Sequence, residues 1–159
     1  MEERFDFVKA APGAHRAMAG FEHYLRTCGL EEKLVSLISL RASQINGCAF
    51  CLDMYWKDLR ALGESEQRLY GLDAWRESPY YSDRERAALA WTEAVTLIAN
   101  THVPESVYDE VRPFFNEREL SDLTLAIVAI NAWNRISIAT RREPGTYQPA
   151  RLHDQKRAS

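Results

Sequence analysis

The stretch Arg41-Ala42-Ser43-Gln44-Ile45-Asn46-Gly47-Cys48-Ala49-Phe50-Cys51-Leu52-Asp53-Met54 decides how the rest of the chain is read. Two thiols separated by two residues can join without displacing the backbone, and Gly47 suits a turn that ends one helix and begins the next. Cys48, Cys51 and Tyr55 follow one another at i, i+3 and i+7, so they share a face of a helix starting near Cys48. At that helix's first turn the unpaired N–H groups and the dipole favour an anion, which eases formation of a thiolate. The pair is a candidate redox centre.

Three plainer uses of the pair stand beside it. A zinc half-site has the same spacing, but the further ligands would have to come from Cys28, His15, His23, His102 or His153, which form no second close pair. A structural disulfide suits a secreted protein, and the first thirty residues hold no long apolar stretch of the signal-peptide kind. Two buried, inert thiols are the third use, since free cysteine packs well in cores.

Working outward, Leu34, Leu37, Ile38 and Ile45 form the apolar stripe of a helix from Glu31 to Asn46, with acidic residues at its start and Gly47 at its end. Arg41 falls on that stripe and calls for a carboxylate partner from another helix. Upstream, Met18, Phe21, Tyr24 and Leu25 mark a helix over Ala14–Thr27, preceded by an irregular arm over residues 1–13. Downstream, the cysteine helix runs to about Leu62, and a short amphipathic helix over Glu64–Trp75 follows. Ser82-Asp83-Arg84-Glu85 has the form of a capping box before Ala87, Ala88, Trp91, Ala94, Val95 and Ile98. A helix from Pro104 to about Phe115 precedes a second box at Asn116–Glu119, which opens the apolar segment Leu120–Ile138. Pro144, Gly145 and Pro149 then signal a polar tail over 144–159. The expectation is an all-α bundle of six or seven helices in one domain, 14–143.

The 159 residues suffice for a substantial core, with 46% hydrophobic residues. A net charge of −3 with interspersed signs gives no footprint for nucleic acid or an anionic membrane surface. No stretch approaches twenty consecutive apolar residues, so no spanning helix is expected. Three cysteines without a leader point to a reducing, cytoplasmic setting, where such a pair is more often catalytic than structural.

The run Arg41–Met54, then Thr92-Glu93-Ala94-Val95 and Asn131-Ala132-Trp133-Asn134-Arg135, resembles the alkylhydroperoxidase D-like (AhpD-like) branch of the carboxymuconolactone decarboxylase superfamily, over roughly Ala14 to Tyr147. The resemblance implies an all-helical homo-oligomer, a trimer or hexamer. It also implies reduction of hydroperoxides through the two cysteines, with an external dithiol such as a thioredoxin-like or lipoyl protein restoring them and no cofactor. It assigns the attacking role to Cys51 and the resolving role to Cys48, whereas the helix dipole alone favours Cys48. Two positions depart from the family pattern. Tyr55 stands where a histidine is usual, and Ser36 stands where a glutamate is frequent. Both belong to the proton relay, and neither residue is a base near pH 7. Glu93, on a largely apolar helix, and His23 with its neighbour Glu22 are the candidate replacements, Glu93 having the alternative of pairing with Arg41 or Arg135 and His23 the alternative of a surface histidine beside Tyr24. Asn131, Trp133, Asn134 and Arg135 either pack a central helix or line the peroxide pocket.

Overall fold

A computed structural model describes residues 2–149. Those residues form nine α-helices and one 3-10 turn, with no strand. The helices are α1 (Phe7–Ala10), α2 (Pro12–Leu25), α3 (Glu32–Asn46), α4 (Ala49–Ala61), α5 (Glu66–Tyr70), α6 (Asp83–Thr96), α7 (Ile98–Thr101), α8 (Glu105–Val111) and α9 (Glu117–Thr140), with the 3-10 turn at Leu72–Ala74 after α5. The all-α expectation holds. The helices beyond the six or seven expected are α1 and α7, four residues each and too short to show a period.

The punctuation follows from the local chemistry. Gly47 takes φ +70° as the C-cap of α3, a left-handed conformation that glycine adopts without a side-chain penalty. Ser82 with Glu85 and Asn116 with Glu119 both close reciprocal capping boxes at α6 and α9. The expected helix over Glu64–Trp75 is instead broken at Gly71 into α5 and the 3-10 turn.

The centre of the bundle is α3, which packs against α4, α6 and α9; α9 in turn touches α2, α4 and α6. One core cluster, with Leu34, Ile38, Ala88, Leu123 and Ile127, fills the space between α3, α6 and α9. A second, with Leu37, Leu40, Leu59, Leu72 and Leu89, lies between α3, α4 and α6. A third and smaller one gathers Ala42, Cys48, Phe50, Cys51 and Ile130. The cysteine pair is therefore in the hydrophobic interior, where α3, α4 and α9 meet.

A buried polar network joins α3 to α9 above that cluster. The Asn46 amide donates to Asn131 Oδ1 at 3.0 Å and to Asn134 Oδ1 at 2.9 Å, and the Asn134 amide donates to Ser43 Oγ at 3.0 Å. Asn134 has no exposed surface. In such a place an unpaired amide would cost about 1–3 kcal/mol, so the network fixes the register of the two helices.

The two chain ends differ from the sequence expectations. The arm does not stay irregular up to Gly13: α2 begins at Pro12, and the Arg4 backbone N–H and guanidinium donate to the carbonyls of Thr140 and Ala139, tying the arm to the end of α9. The expected tail is packed at its start. Gly145 N–H donates to Asp53, Lys57 donates to the carbonyls of Gly145 and Tyr147, and the Tyr147 hydroxyl donates to Asp58 at 2.7 Å. A strap from Gly145 to Tyr147 thus lies along α4. The membrane expectation also changes: among the described residues α9 is long and apolar enough to cross a bilayer, although here four helices pack on it.

Candidate functional site

Cys48 is the N-cap of α4, its Sγ accepting a hydrogen bond from the Cys51 backbone N–H at 3.4 Å. A disulfide joins the two residues across a Cα separation of 5.3 Å. Cys28 is a separate, buried free thiol whose Sγ donates to the Leu25 carbonyl.

Both cysteines of the pair have only 1% of their surface exposed. They differ in what they face. A cavity of about 570 Å³ opens beside α4, and Cys51 is in its wall while Cys48 is not. The apolar part of the wall comes from Leu25, Leu30, Val35, Phe50, Met54 and Trp133; the polar part includes Glu22, Ser36, Tyr55, Asp58 and Tyr147, with His15 and the cations Arg26 and Arg142 beside them. This size lies within the range of small-molecule sites. The helix dipole takes no account of access, and of the two cysteines only Cys51 borders this cavity.

Tyr55 lines the cavity one turn beyond Cys51 on the same face of α4. Burial and then the Glu22 carboxylate push its phenol far above the usual tyrosine value; a hydrogen bond with the Ser39 hydroxyl opposes them, and the Asp58 carboxylate adds a lesser push upward. At neutral pH Tyr55 is a neutral hydroxyl that can donate and accept. Ser36 is in the same wall, 8% exposed.

The two proposed substitutes for the missing base are placed elsewhere. His23 is exposed and absent from the cavity wall, because it sits on the outer side of α2 while its neighbour Glu22 turns inward. Glu93 is held between α3 and α6 by Arg41, with Nη2 to Oε1 at 2.8 Å and Nε to Oε1 at 2.9 Å. The Trp75 indole donates to the same oxygen at 2.9 Å, and Arg76 pairs with the other oxygen. Burial alone would raise the Glu93 pKa, but the bonds from Trp75, Arg76 and Arg41 outweigh it and hold the carboxyl below its usual range. A carboxylate so stabilised as an anion is a poor proton acceptor, and it does not line the cavity. Of its two anticipated uses, Glu93 has the structural one, and Arg41 has its partner.

The segment Asn131–Arg135 divides in the same way. Asn131 and Asn134 belong to the buried network, Arg135 is exposed and bonds back to Asn131, and only Trp133 faces the cavity. The Trp133 indole N–H donates to Glu22 Oε1 at 2.9 Å. The His15 ring lies 5.9 Å from the Trp133 ring.

Sequence reasoning missed Asp58 and Tyr147. Burial raises the Asp58 carboxyl above its usual range despite the hydrogen bond from Tyr147, and Glu32 adds to the rise. Its position seven residues after Cys51, on the thiol face of α4, was a usable signal; for Tyr147, in an apparent tail, there was none. Among the described residues no three His, Cys, Asp or Glu side chains are grouped to hold a metal ion, and His153 lies outside those residues.

Known proteins with this chain's features share both its sequence and its fold. Residues 12–94 match the carboxymuconolactone decarboxylase family model. An uncharacterized Bacillus subtilis (strain 168) protein, YdfG, is 44% identical over 139 residues, covering 87% of this chain and 95% of its own length. A protein of unknown function from Agrobacterium tumefaciens, provisionally named an AhpD antioxidant defence protein, is also 44% identical; its structure superimposes with a TM-score of 0.89 over 92% of this chain and 100% of that one. An uncharacterized peroxidase-related protein from Silicibacter sp. TM1040 shares the fold at 24% identity, with a TM-score of 0.73 over 82% of this chain and 70% of its own. This chain belongs to the carboxymuconolactone decarboxylase family, in its AhpD-like branch.

Proposed function

We propose that the protein is a thiol-dependent peroxidase that reduces hydroperoxides with Cys51 as the attacking thiol and Cys48 as the resolving one. The observation that carries this reading is the asymmetry of the pair: equally buried, only Cys51 faces a cavity large enough for an organic substrate. The Cys51 thiolate attacks an oxygen of the O–O bond, which breaks, leaving a sulfenic acid and an alkoxide that takes up a proton. The Cys48 thiol condenses with the sulfenic acid, expelling water and forming the disulfide. An external dithiol, thioredoxin-like or lipoyl-bearing, then reduces that disulfide by exchange. Such a cycle suits a reducing compartment, the cytoplasm, and needs no further cofactor.

The provisional antioxidant name of the Agrobacterium protein agrees with this role. A homo-oligomer, trimer or hexamer, fits the apolar surface that Leu97, Ile98, Val128 and Ile138 leave exposed in the single chain. Light scattering then returns a mass above the 18.3 kDa of one subunit.

A second reading, a redox sensor that is oxidised once and does not turn over, is favoured by Tyr55 and Ser36 in place of the family's histidine and glutamate. Stopped-flow measurement of peroxide consumption separates the two. Repeated turnover with a supplied dithiol is the expected result; a single oxidation per subunit with no turnover would establish the sensor instead.

A further inference from the structure

We propose that Glu22 carries the proton of Cys51, acting through the Tyr55 hydroxyl. The inference rests on the peroxidase reading and supplies the relay that the sequence lacks at positions 36 and 55. Ser36 on α3 and Glu22 on α2 stand in the same cavity wall as Cys51. A carboxylate missing from one helix is thus offered by its neighbour across the same space.

Cys51, Tyr55 and Glu22 border one cavity. Trp133 Nε1 holds Glu22 Oε1 at 2.9 Å and fixes the side chain, and because an indole is neutral it orients the carboxylate without the ionic stabilisation that Glu93 receives. Tyr55 follows Cys51 by one helical turn and stands in the same cavity wall as Glu22, whose charge acts on its phenol, while the Ser39 hydroxyl hydrogen-bonds to that phenol. The other groups around this space are less well placed. Asp58 is two turns from Cys51 and engaged by Tyr147, and Glu32 is exposed at the start of α3. His15 lies against Trp133, and Arg142 lies over the Phe50 ring, 3.9 Å from its centre. Arg26, the remaining cation of the wall, is exposed.

The steps balance. The Cys51 thiol gives its proton to the Tyr55 oxygen as that hydroxyl gives its own to Glu22, so the phenol is never ionised. The thiolate attacks the hydroperoxide, the O–O bond breaks, sulfur is oxidised to the sulfenic acid and the peroxide is reduced to an alkoxide. The proton then returns from Glu22 through Tyr55 to the alkoxide, giving the alcohol.

Two reagents distinguish this role from a merely local charge. Iodoacetamide alkylates a thiolate and releases iodide, which needs no proton, whereas tert-butyl hydroperoxide releases an alkoxide that does. The rates of both reactions at Cys51 are followed by mass spectrometry on the reduced full-length chain at pH 7. Glu22→Gln keeps an oxygen to accept from Trp133. It should slow hydroperoxide oxidation on the order of 10²-fold while leaving alkylation equal or faster, because removing a neighbouring negative charge favours the thiolate. Glu22→Asp should recover part of the oxidation rate. If Glu22→Gln changes both rates by one factor, or leaves oxidation unchanged or faster, the proposal is overturned. The wild-type arm tests the parent reading separately: Cys51 oxidising no faster than free cysteine would end the peroxidase assignment whatever the variants do.

Discussion

Two half-buried carboxylates, Asp58 beside the cavity and Glu93 between α3 and α6, meet similar desolvation and reach opposite outcomes. Glu93 receives two guanidinium groups and an indole N–H, and its pKa falls. Asp58 receives one neutral phenol hydroxyl and stays above its usual range. Burial penalises both anions, and the charge of the donors decides which way each goes. Arg41 and Arg76 are committed to the ion cluster that joins α3, α6 and the segment after the 3-10 turn, whereas Arg26 and Arg142 of the cavity wall pair with neither Asp58 nor Glu22, whose hydrogen-bond donors are a phenol and an indole.

This contrast can be broken most sharply at the thiols. Cys51→Ser should abolish hydroperoxide reduction while leaving the thermal midpoint nearly unchanged. Cys48→Ser should still allow one oxidation and accumulate a sulfenic acid that dimedone traps. Equal activity in both variants would remove the distinction that the cavity draws between them.

The ion cluster should behave in the reverse manner. Glu93→Ala leaves Arg41 partly buried without its anion and should cost about 3 kcal/mol, lowering the midpoint by about 6–12 °C in a chain of this size. The alkylation rate of reduced Cys51 should not change. A variant of native stability with slowed Cys51 chemistry would return Glu93 to the relay.

The two carboxylates should also pull the pH dependence of stability in opposite directions. With its folded pKa depressed, Glu93 adds stability that is present above the usual carboxylate range and lost as pH falls through the folded value. Asp58, with its folded pKa raised, adds stability that is present below the unfolded value and lost as pH rises through the folded one. Chemical denaturation from pH 3 to 7 should therefore show Glu93→Gln flattening the acid loss, and Asp58→Asn removing the decline toward neutrality. Curves parallel to wild type in both variants would refute the assigned shifts.

The smallest expected effect lies in the strap. Tyr147→Phe removes one hydrogen bond to Asp58 and should cost about 1 kcal/mol by denaturant titration. It should raise the Asp58 pKa further, because the lost bond is the one that favours the anion. A change above 3 kcal/mol would mean that the strap supports much more than α4.

How much of this was legible beforehand depended on the range of the interaction. Gly47, the Ser82 and Asn116 caps, and the i, i+3, i+7 set of Cys48, Cys51 and Tyr55 are local features, and the structure has them as the sequence implied. They depend on backbone geometry within one or two turns, which neighbouring residues dictate. Arg41 announced its need for a carboxylate, since a cation on an apolar stripe must be paired, but not that Glu93 would be claimed from α6 together with Arg76.

What only the tertiary structure decided is which side chains share a space. Glu22 and His23 are adjacent in sequence and of similar promise, yet about 100° of helical rotation puts one in the cavity and the other outside. Trp133 meets Glu22 across more than a hundred residues, and Tyr147 reaches Asp58 from what composition marks as a tail. The residue types and helix spans follow from local chemistry along the chain. The cavity that distinguishes Cys51 from Cys48 arises only when α2, α3, α4 and α9 pack, because its walls are supplied by residues with no sequence relation to one another.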